Sequence, residues 1–292
     1  MRLRPFMMRI PSNKISLKKN ALVLTFIGLA LMVVQSVNAA TIDPEVVYAD
    51  DNLGRATFFL FFIGYISMGA AFIFFMSERN NVAPEYRTTM TISALIVGIA
   101  AFHYYYMRGV YIDTGVVSTD YRYMDWIITV PLMALKFPSL IGKDAITDAK
   151  LPIIGGFTGV CFTGALIMIS FGYMGETGAL PPAVGLILGG VGWAMIMVAT
   201  GLPFGLYDGL GVDNSKIKEE LVWSANALRT FILVGWIIYP LGYLVGTEMI
   251  DAGSDGQEIM AILYNIADMI NKIGFGIVAW MGARKASAHM SF

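Results

Sequence analysis

RYMDWIITVPLMALKF, residues 122–137, is a long apolar run that nonetheless carries Arg122, Asp125 and Lys136. Its length and character suit a helix that crosses a bilayer, where about 20 apolar residues are needed. A charge inside a bilayer costs several kcal/mol unless it is paired, so each of the three is a functional candidate. On a helix, Arg122, Asp125 and Thr129 share one face, because they are spaced by three and four residues. Lys136, eleven residues beyond Asp125, lies roughly 16 Å further along the axis on nearly the same face.

Outward from this stretch the chain stays apolar. Of 292 residues, 57% are hydrophobic and 14% charged, too apolar for a soluble domain. A net charge of -1 offers nothing to nucleic acid. The single cysteine, Cys161, sits in an apolar run, so neither an intrachain disulfide nor a metal centre is expected. Seven apolar segments follow one another, at about 53–76, 88–108, 121–142, 151–172, 182–204, 221–247 and 258–283. Short linkers rich in turn residues separate them. The expected fold is an all-α membrane protein, a seven-transmembrane-helix bundle occupying residues 40–292.

The first residues have another pattern. Arg2, Arg4, Arg9, Lys14, Lys18 and Lys19 precede an apolar run at 21–34, and small residues follow it. This is the layout of a signal peptide, 1–39, cleaved after about Ala39. The competing reading is an uncleaved first transmembrane helix, for which the run is short. Cleavage would leave the mature N-terminus outside the cytoplasm. Inside loops then carry Arg79, Arg87, Lys143, Lys150, Lys216 and Lys218, and the tail carries Arg284 and Lys285. Outside loops carry Arg108 but many acids, among them Asp113, Asp120, Glu176 and Glu248. The bias agrees with the positive-inside rule and puts the C-terminus of a multi-pass inner-membrane protein in the cytoplasm.

The last segment supplies a partner for the charges of the third. YNIADMINKIGFG, residues 264–276, holds Asp268 and Lys272 one helical turn apart. A buried lysine without a partner tends to lose its proton and act as a nucleophile, and such lysines form Schiff bases with aldehydes. A protonated Schiff base at Lys272, with Arg122, Asp125 and Asp268, sums to zero charge, as a buried cluster requires. A structural Asp268–Lys272 ion pair is the plainer alternative. Trp126, Trp193, Trp236 and Tyr239 could sandwich a conjugated ligand, although aromatic stripes also serve ordinary packing. Pro240 would kink the sixth helix.

Five motifs in order resemble the microbial rhodopsins, proteorhodopsins in particular: FHYYYMRGV (102–110), RYMDWIITVPL (122–132), GYMGE (172–176), GWIIYPLGY (235–243) and YNIADMINKIGFG. The resemblance spans about residues 50–285. It implies all-trans retinal held covalently as a Schiff base on Lys272, with Asp125 as primary counterion and proton acceptor and Asp268 as second counterion. Arg122 matches the arginine below the cluster, Thr129 the threonine beside the acceptor, and His103 the histidine paired with the acceptor aspartate. Trp126, Trp236 and Tyr239 match residues of the retinal pocket, and Trp193 is placed with them. Met133 matches a colour-tuning position, where its apolar side chain implies green rather than blue absorption.

One departure stands out. Lys136 occupies a position where proton-pumping relatives usually carry a carboxylic acid. It either snorkels to the inner interface with a wet head, or it is a cytoplasmic proton donor, neutral in the dark. The function implied is light-driven outward proton pumping, with no enzymatic turnover. The rival from another class is a photosensory rhodopsin that signals to a membrane partner. A chloride pump would lack Asp125, and a sodium pump would carry Asn, Asp and Gln where Asp125, Thr129 and Lys136 stand. The partners implied are lipid, protons and other copies of the chain, as a pentamer or similar ring. The resemblance also admits a carotenoid antenna, with Gly185 and Leu186 near the helix face concerned.

Overall fold

The computed structural model describes residues 51–148 and 155–288, which belong to one compact unit running from Pro44 to Phe292. The expected leader, 1–39, lies outside the described residues. Five uninterrupted helices come first: α1 (Asn52–Glu78), α2 (Arg87–Thr114), α3 (Thr119–Ile141), α4 (Gly156–Glu176) and α5 (Pro182–Thr200). The sixth span consists of α6 (Glu219–Leu233) and α7 (Ile238–Gly246). The seventh consists of α8 (Gly256–Asp268) and α9 (Phe275–Ser287). All 7 spans are long and apolar enough to cross a membrane. Among the described residues there are isolated β-bridges but no β-strand.

The bundle places its charged helix at the centre. In α3, 61% of the most apolar window is buried, against 33% in α1. Arg122, Asp125, Thr129 and Lys136 are all inside, whereas Ile128 on the same helix is 46% exposed. Other exposed apolar side chains, such as Ile63, Phe102, Ile187 and Ile237, form the outer surface that lipid would wet. Helices α4 and α5 approach so closely that a Cβ on Gly164 would lie 2.6 Å from the carbonyl oxygen of Gly192. Small residues at such a crossing let two membrane helices pack backbone to backbone.

Several boundaries differ from those read in the sequence. The second helix was expected to stop at Arg108, where the apolar run meets a charge, but it continues to Thr114 and ends at Gly115 with φ 69. Arg108, expected in an outside loop, is therefore a buried helix residue. Its guanidinium carbon lies 5.6, 5.7 and 5.0 Å from the ring centres of Phe62, Tyr65 and Tyr105, which accept the cation in place of water. Asp113 likewise lies in the last turn of α2. The fourth helix continues past 172 to Glu176, so Glu176 belongs to its last turn and is no loop acid.

The sixth and seventh spans are both interrupted. A 3-10 turn at Gly235–Ile237 separates α6 from α7. Pro240, which lacks an N–H and crowds the preceding turn, accounts for that break. A π turn, Met269–Gly274, separates α8 from α9 and contains Lys272. Nothing in its composition announces it.

The two ends of the bundle are chemically distinct. At one, Lys218 pairs with Glu85 at 2.6 Å, Arg284 lies 3.9 Å from Glu78, and Trp280 donates to Glu78. These contacts gather the first interhelical loop, the start of α6 and the end of α9. At the other end, Tyr173 donates to Asp120, and Glu176 draws together α3, α4 and α8.

Candidate functional site

The π turn and the central helix bring Lys272 between the two aspartates. Its Nζ donates to Asp125 Oδ2 in a short contact and to Asp268 Oδ2 at 3.1 Å, and all three side chains are essentially inaccessible to solvent. Asp268 is heavily engaged. It also accepts from Tyr239 Oη at 2.8 Å, Tyr104 Oη at 3.0 Å and Trp126 Nε1 at 3.2 Å. Asp125 differs, because its Oδ1 has no hydrogen-bond partner. The plain i,i+4 ion pair of the seventh helix is thus present, but as part of a larger cluster joining α2, α3, α7 and α8.

Arg122 lies in the same buried layer without touching either aspartate at ion-pair distance. Its Nη2 donates to Asn265 Oδ1 at 3.1 Å, and its guanidinium carbon lies 5.1 Å from the ring centre of Tyr264. Tyr264 in turn donates to Glu176 at 3.1 Å, beside Tyr123 at 2.9 Å and Thr119 at 3.2 Å. Asn265 was given no role by the sequence, and this hydroxyl-bound carboxylate was read there only as an outside-loop acid. The signal for Asn265 was weak: one amide in an apolar helix, 143 positions from its partner.

The remaining expected residues fall out as follows. Thr129 is buried beside Asp125, but its hydroxyl donates to the Asp125 backbone carbonyl at 3.0 Å, a bond within the helix, and does not reach the carboxylate. His103 is half-buried, with Nδ1 2.9 Å from the Ile99 carbonyl oxygen. Among the described residues no hydrogen bond joins it to Asp125. Lys136 does not snorkel. Its side chain is fully buried, its Nζ has no hydrogen-bond partner, and it lies 5.0 Å from the centre of the Phe275 ring. Nearby, Ser139 donates to the Lys136 carbonyl at 2.7 Å and Thr89 to the Ser139 carbonyl at 2.8 Å.

Lys272 also lines a cavity. Trp126, Met133, Trp193, Trp236 and Tyr239, all proposed as ligand contacts from the sequence, line it together with Lys272. With the part open to solvent included, the space among these side chains is about 790 Å³. Its wall is aromatic, aliphatic and glycine-lined, with one amine. Gly185 and Leu186 belong to that wall. The lining suits an apolar aldehyde: apolar walls to hold it and a buried primary amine to bond it. No group of three or more His, Cys, Asp or Glu side chains suited to a metal ion occurs among the described residues.

Comparison with known proteins gives a concordant picture. A family profile described as "Bacteriorhodopsin-like protein" matches residues 55–286. The chain is 37% identical over 221 residues to a green-light absorbing proteorhodopsin of Gamma-proteobacterium EBAC31A08, covering 75% of this chain and 83% of the relative. It is 38% identical over 232 residues to a blue-light absorbing proteorhodopsin of Gamma-proteobacterium Hot 75m4, covering 78% and 86%. Identity therefore does not choose between the two colours. Among solved structures, Exiguobacterium sibiricum rhodopsin matches with TM-score 0.65 and 31% identity, covering 80% of this chain and 99% of that one.

Proposed function

The chain belongs to the bacteriorhodopsin-like family, and from that premise we propose that it is a light-driven outward proton pump using retinal on Lys272. The observation that carries the proposal is the buried Lys272 amine, held by Asp125 and Asp268 on the wall of an apolar cavity. Bound covalently at that nitrogen, all-trans retinal would supply light absorption and a change of shape. The rest of the work belongs to the protein.

Asp125 takes the proton from the Lys272 nitrogen. It has an oxygen without a partner, whereas Asp268 is engaged by three other donors. Asp268 and Arg122 keep the layer near neutrality while the proton moves, because unbalanced charge in low-dielectric surroundings is expensive. Trp126 and Tyr239 serve twice, fixing Asp268 and walling the cavity. His103 belongs to the same reading as the histidine that the family pairs with the acceptor aspartate. Met133, on the cavity wall, is apolar and does not favour the positive charge staying at the nitrogen, which goes with green absorption. The proton leaves on the side of Arg122, Tyr264 and Glu176.

Lys136 returns a proton from the opposite side. Its amine is buried without an acceptor, which supports a donor that loads and unloads and leaves the snorkelling alternative without a wet head. The mature N-terminus, after cleavage near Ala39, is outside and the C-terminus is in the cytoplasm. A homo-oligomer, and a carotenoid antenna beside Gly185 and Leu186, belong to the same reading.

The test is illumination of unbuffered cells expressing the protein with retinal, while external pH is recorded. Acidification that a protonophore abolishes is the expected result. A coloured sample that moves no protons would overturn the pump in favour of a photosensor.

A further inference from the structure

The loop that follows α5 presents apolar side chains where a water-facing loop would carry charge. Residues 198–207, VATGLPFGLY, hold no charged side chain. Leu202 donates its N–H to the Tyr207 carbonyl at 2.7 Å, closing a hairpin around a 3-10 turn, Pro203–Gly205. At its tip Phe204 is 78% exposed and Leu206 70%. Phe204 has φ 56 and ψ 30, the left-handed region that a residue with a Cβ enters at a cost and that Gly or Asn would occupy more readily. The base of the hairpin is firm. Gly201 and Gly209, with φ 86 and 82, let its two ends close on each other, since a Cβ on Gly209 would lie 2.5 Å from the Gly201 nitrogen. Leu210 and Gly211 donate to the Val198 and Ala199 carbonyls at 2.9 and 3.0 Å, and Arg229 Nε donates to the Thr200 carbonyl at 2.8 Å. A hydrophobic tip is thus held out in a strained conformation by a fixed base.

The tip lies beside the lipid-facing side of α6. The Phe204 N–H donates to Asn226 Oδ1 at 3.3 Å. Asn226 lies roughly 10 Å along the sixth span, which starts at Glu219 and has 28 residues. Such a span is roughly 42 Å long against roughly 30 Å of hydrocarbon, so, shared evenly, only about 6 Å projects at each end. Helix α5, with 19 residues, is about as long as the hydrocarbon is thick, and the hairpin leaves it at that boundary. Trp223, 55% exposed, stands one turn before Asn226 on the same face, and Val222, Val234 and Ile237 continue the exposed apolar surface of the span. Tryptophan is enriched at the boundary between hydrocarbon and water. The loop after α3 meets this one, the Thr147 N–H donating to the Gly211 carbonyl at 3.0 Å, so the hairpin belongs to the end of the bundle nearer Lys136.

We propose that the 202–207 hairpin is an interfacial membrane anchor, with Phe204 and Leu206 inserted among the acyl chains of the leaflet on the Lys136 side, next to Trp223. Burying these side chains in lipid offsets the cost of holding Phe204 in the left-handed region. Lipid is the occupant that the surface fits. The hairpin is continuous with the lipid-facing side of α6, and it has no charged side chain to form the polar rim of a protein interface. The inference needs only the membrane-spanning bundle and stands apart from the retinal reading.

The experiment uses full-length protein in phosphatidylcholine nanodiscs that hold one copy, with Cys161→Ala removing the single native cysteine. A spin label is attached at Leu206→Cys. Reference labels sit at Ile187→Cys, on the exposed apolar surface of α5, and at Ser215→Cys, in the exposed part of the same loop. Collision with oxygen, which concentrates in hydrocarbon, is compared with collision with a water-soluble nickel chelate. The oxygen-to-nickel ratio at 206 should be several-fold above that at 215 and close to that at 187. Phe204→Asn tolerates the same backbone conformation without the ring. It should remove most of the excess at 206 and leave the ratio at 187 unchanged. Phe204→Gly serves in its place if the asparagine variant does not incorporate. A ratio at 206 equal to that at 215 would overturn the anchor, and so would an excess that survives loss of the Phe204 ring. An excess seen only in discs holding several copies, with spin–spin broadening, would make a second copy the occupant and overturn the lipid anchor as well.

Discussion

Asp125 and Asp268 share one ammonium but differ in what else they hold, and the acceptor role proposed for Asp125 rests on that difference. Asp125→Asn should leave the Lys272 nitrogen without its acceptor, slowing deprotonation at least about 100-fold in flash spectroscopy. It should also move absorption to longer wavelength, because a negative charge that stabilises the cation in the dark is gone. Lys136→Ala should slow return of the proton. Reprotonation would then draw on bulk protons directly, so its rate should fall about tenfold per pH unit. A decay that stays independent of pH would remove Lys136 from the path. At this scale the sequence was informative wherever a charge interrupts an apolar run, as at Asp125, Lys136 and Lys272. It gave no role to Asn265 and read Glu176 only as an outside-loop acid, because the partners that give them meaning lie far away in the chain.

Among the elements, the spans were legible from length and hydropathy, and Pro240 pointed to the bend in the sixth. The π turn at Met269–Gly274 was not, because its side chains are those of any buried helix. The end of α2 was misplaced because an arginine usually marks the water boundary, and here three rings shelter it. The α4–α5 crossing makes a prediction of its own. Gly192→Val would drive a side chain into the Gly164 carbonyl and the Met168 backbone. It should destabilise the bundle by about 1–3 kcal/mol or more, seen as faster thermal bleaching. Gly69→Ala meets nothing within 4 Å and should be neutral or slightly stabilising. Equal bleaching rates for the two would mean that the crossing is not tightly packed.

At the scale of the bundle, the seven spans of the described residues enclose a buried charge layer around Lys272, with a lysine toward one end and a hydroxyl-bound carboxylate toward the other. That asymmetry is what a directional carrier of protons needs. The most direct check is chemical. Pigment reconstituted with retinal is reduced with borohydride, digested, and the adduct located by mass spectrometry. The account predicts the added mass on the peptide containing Lys272 and a colourless Lys272→Ala protein. The same mass on any other residue, or a Lys272→Ala protein that keeps its visible band, would contradict it.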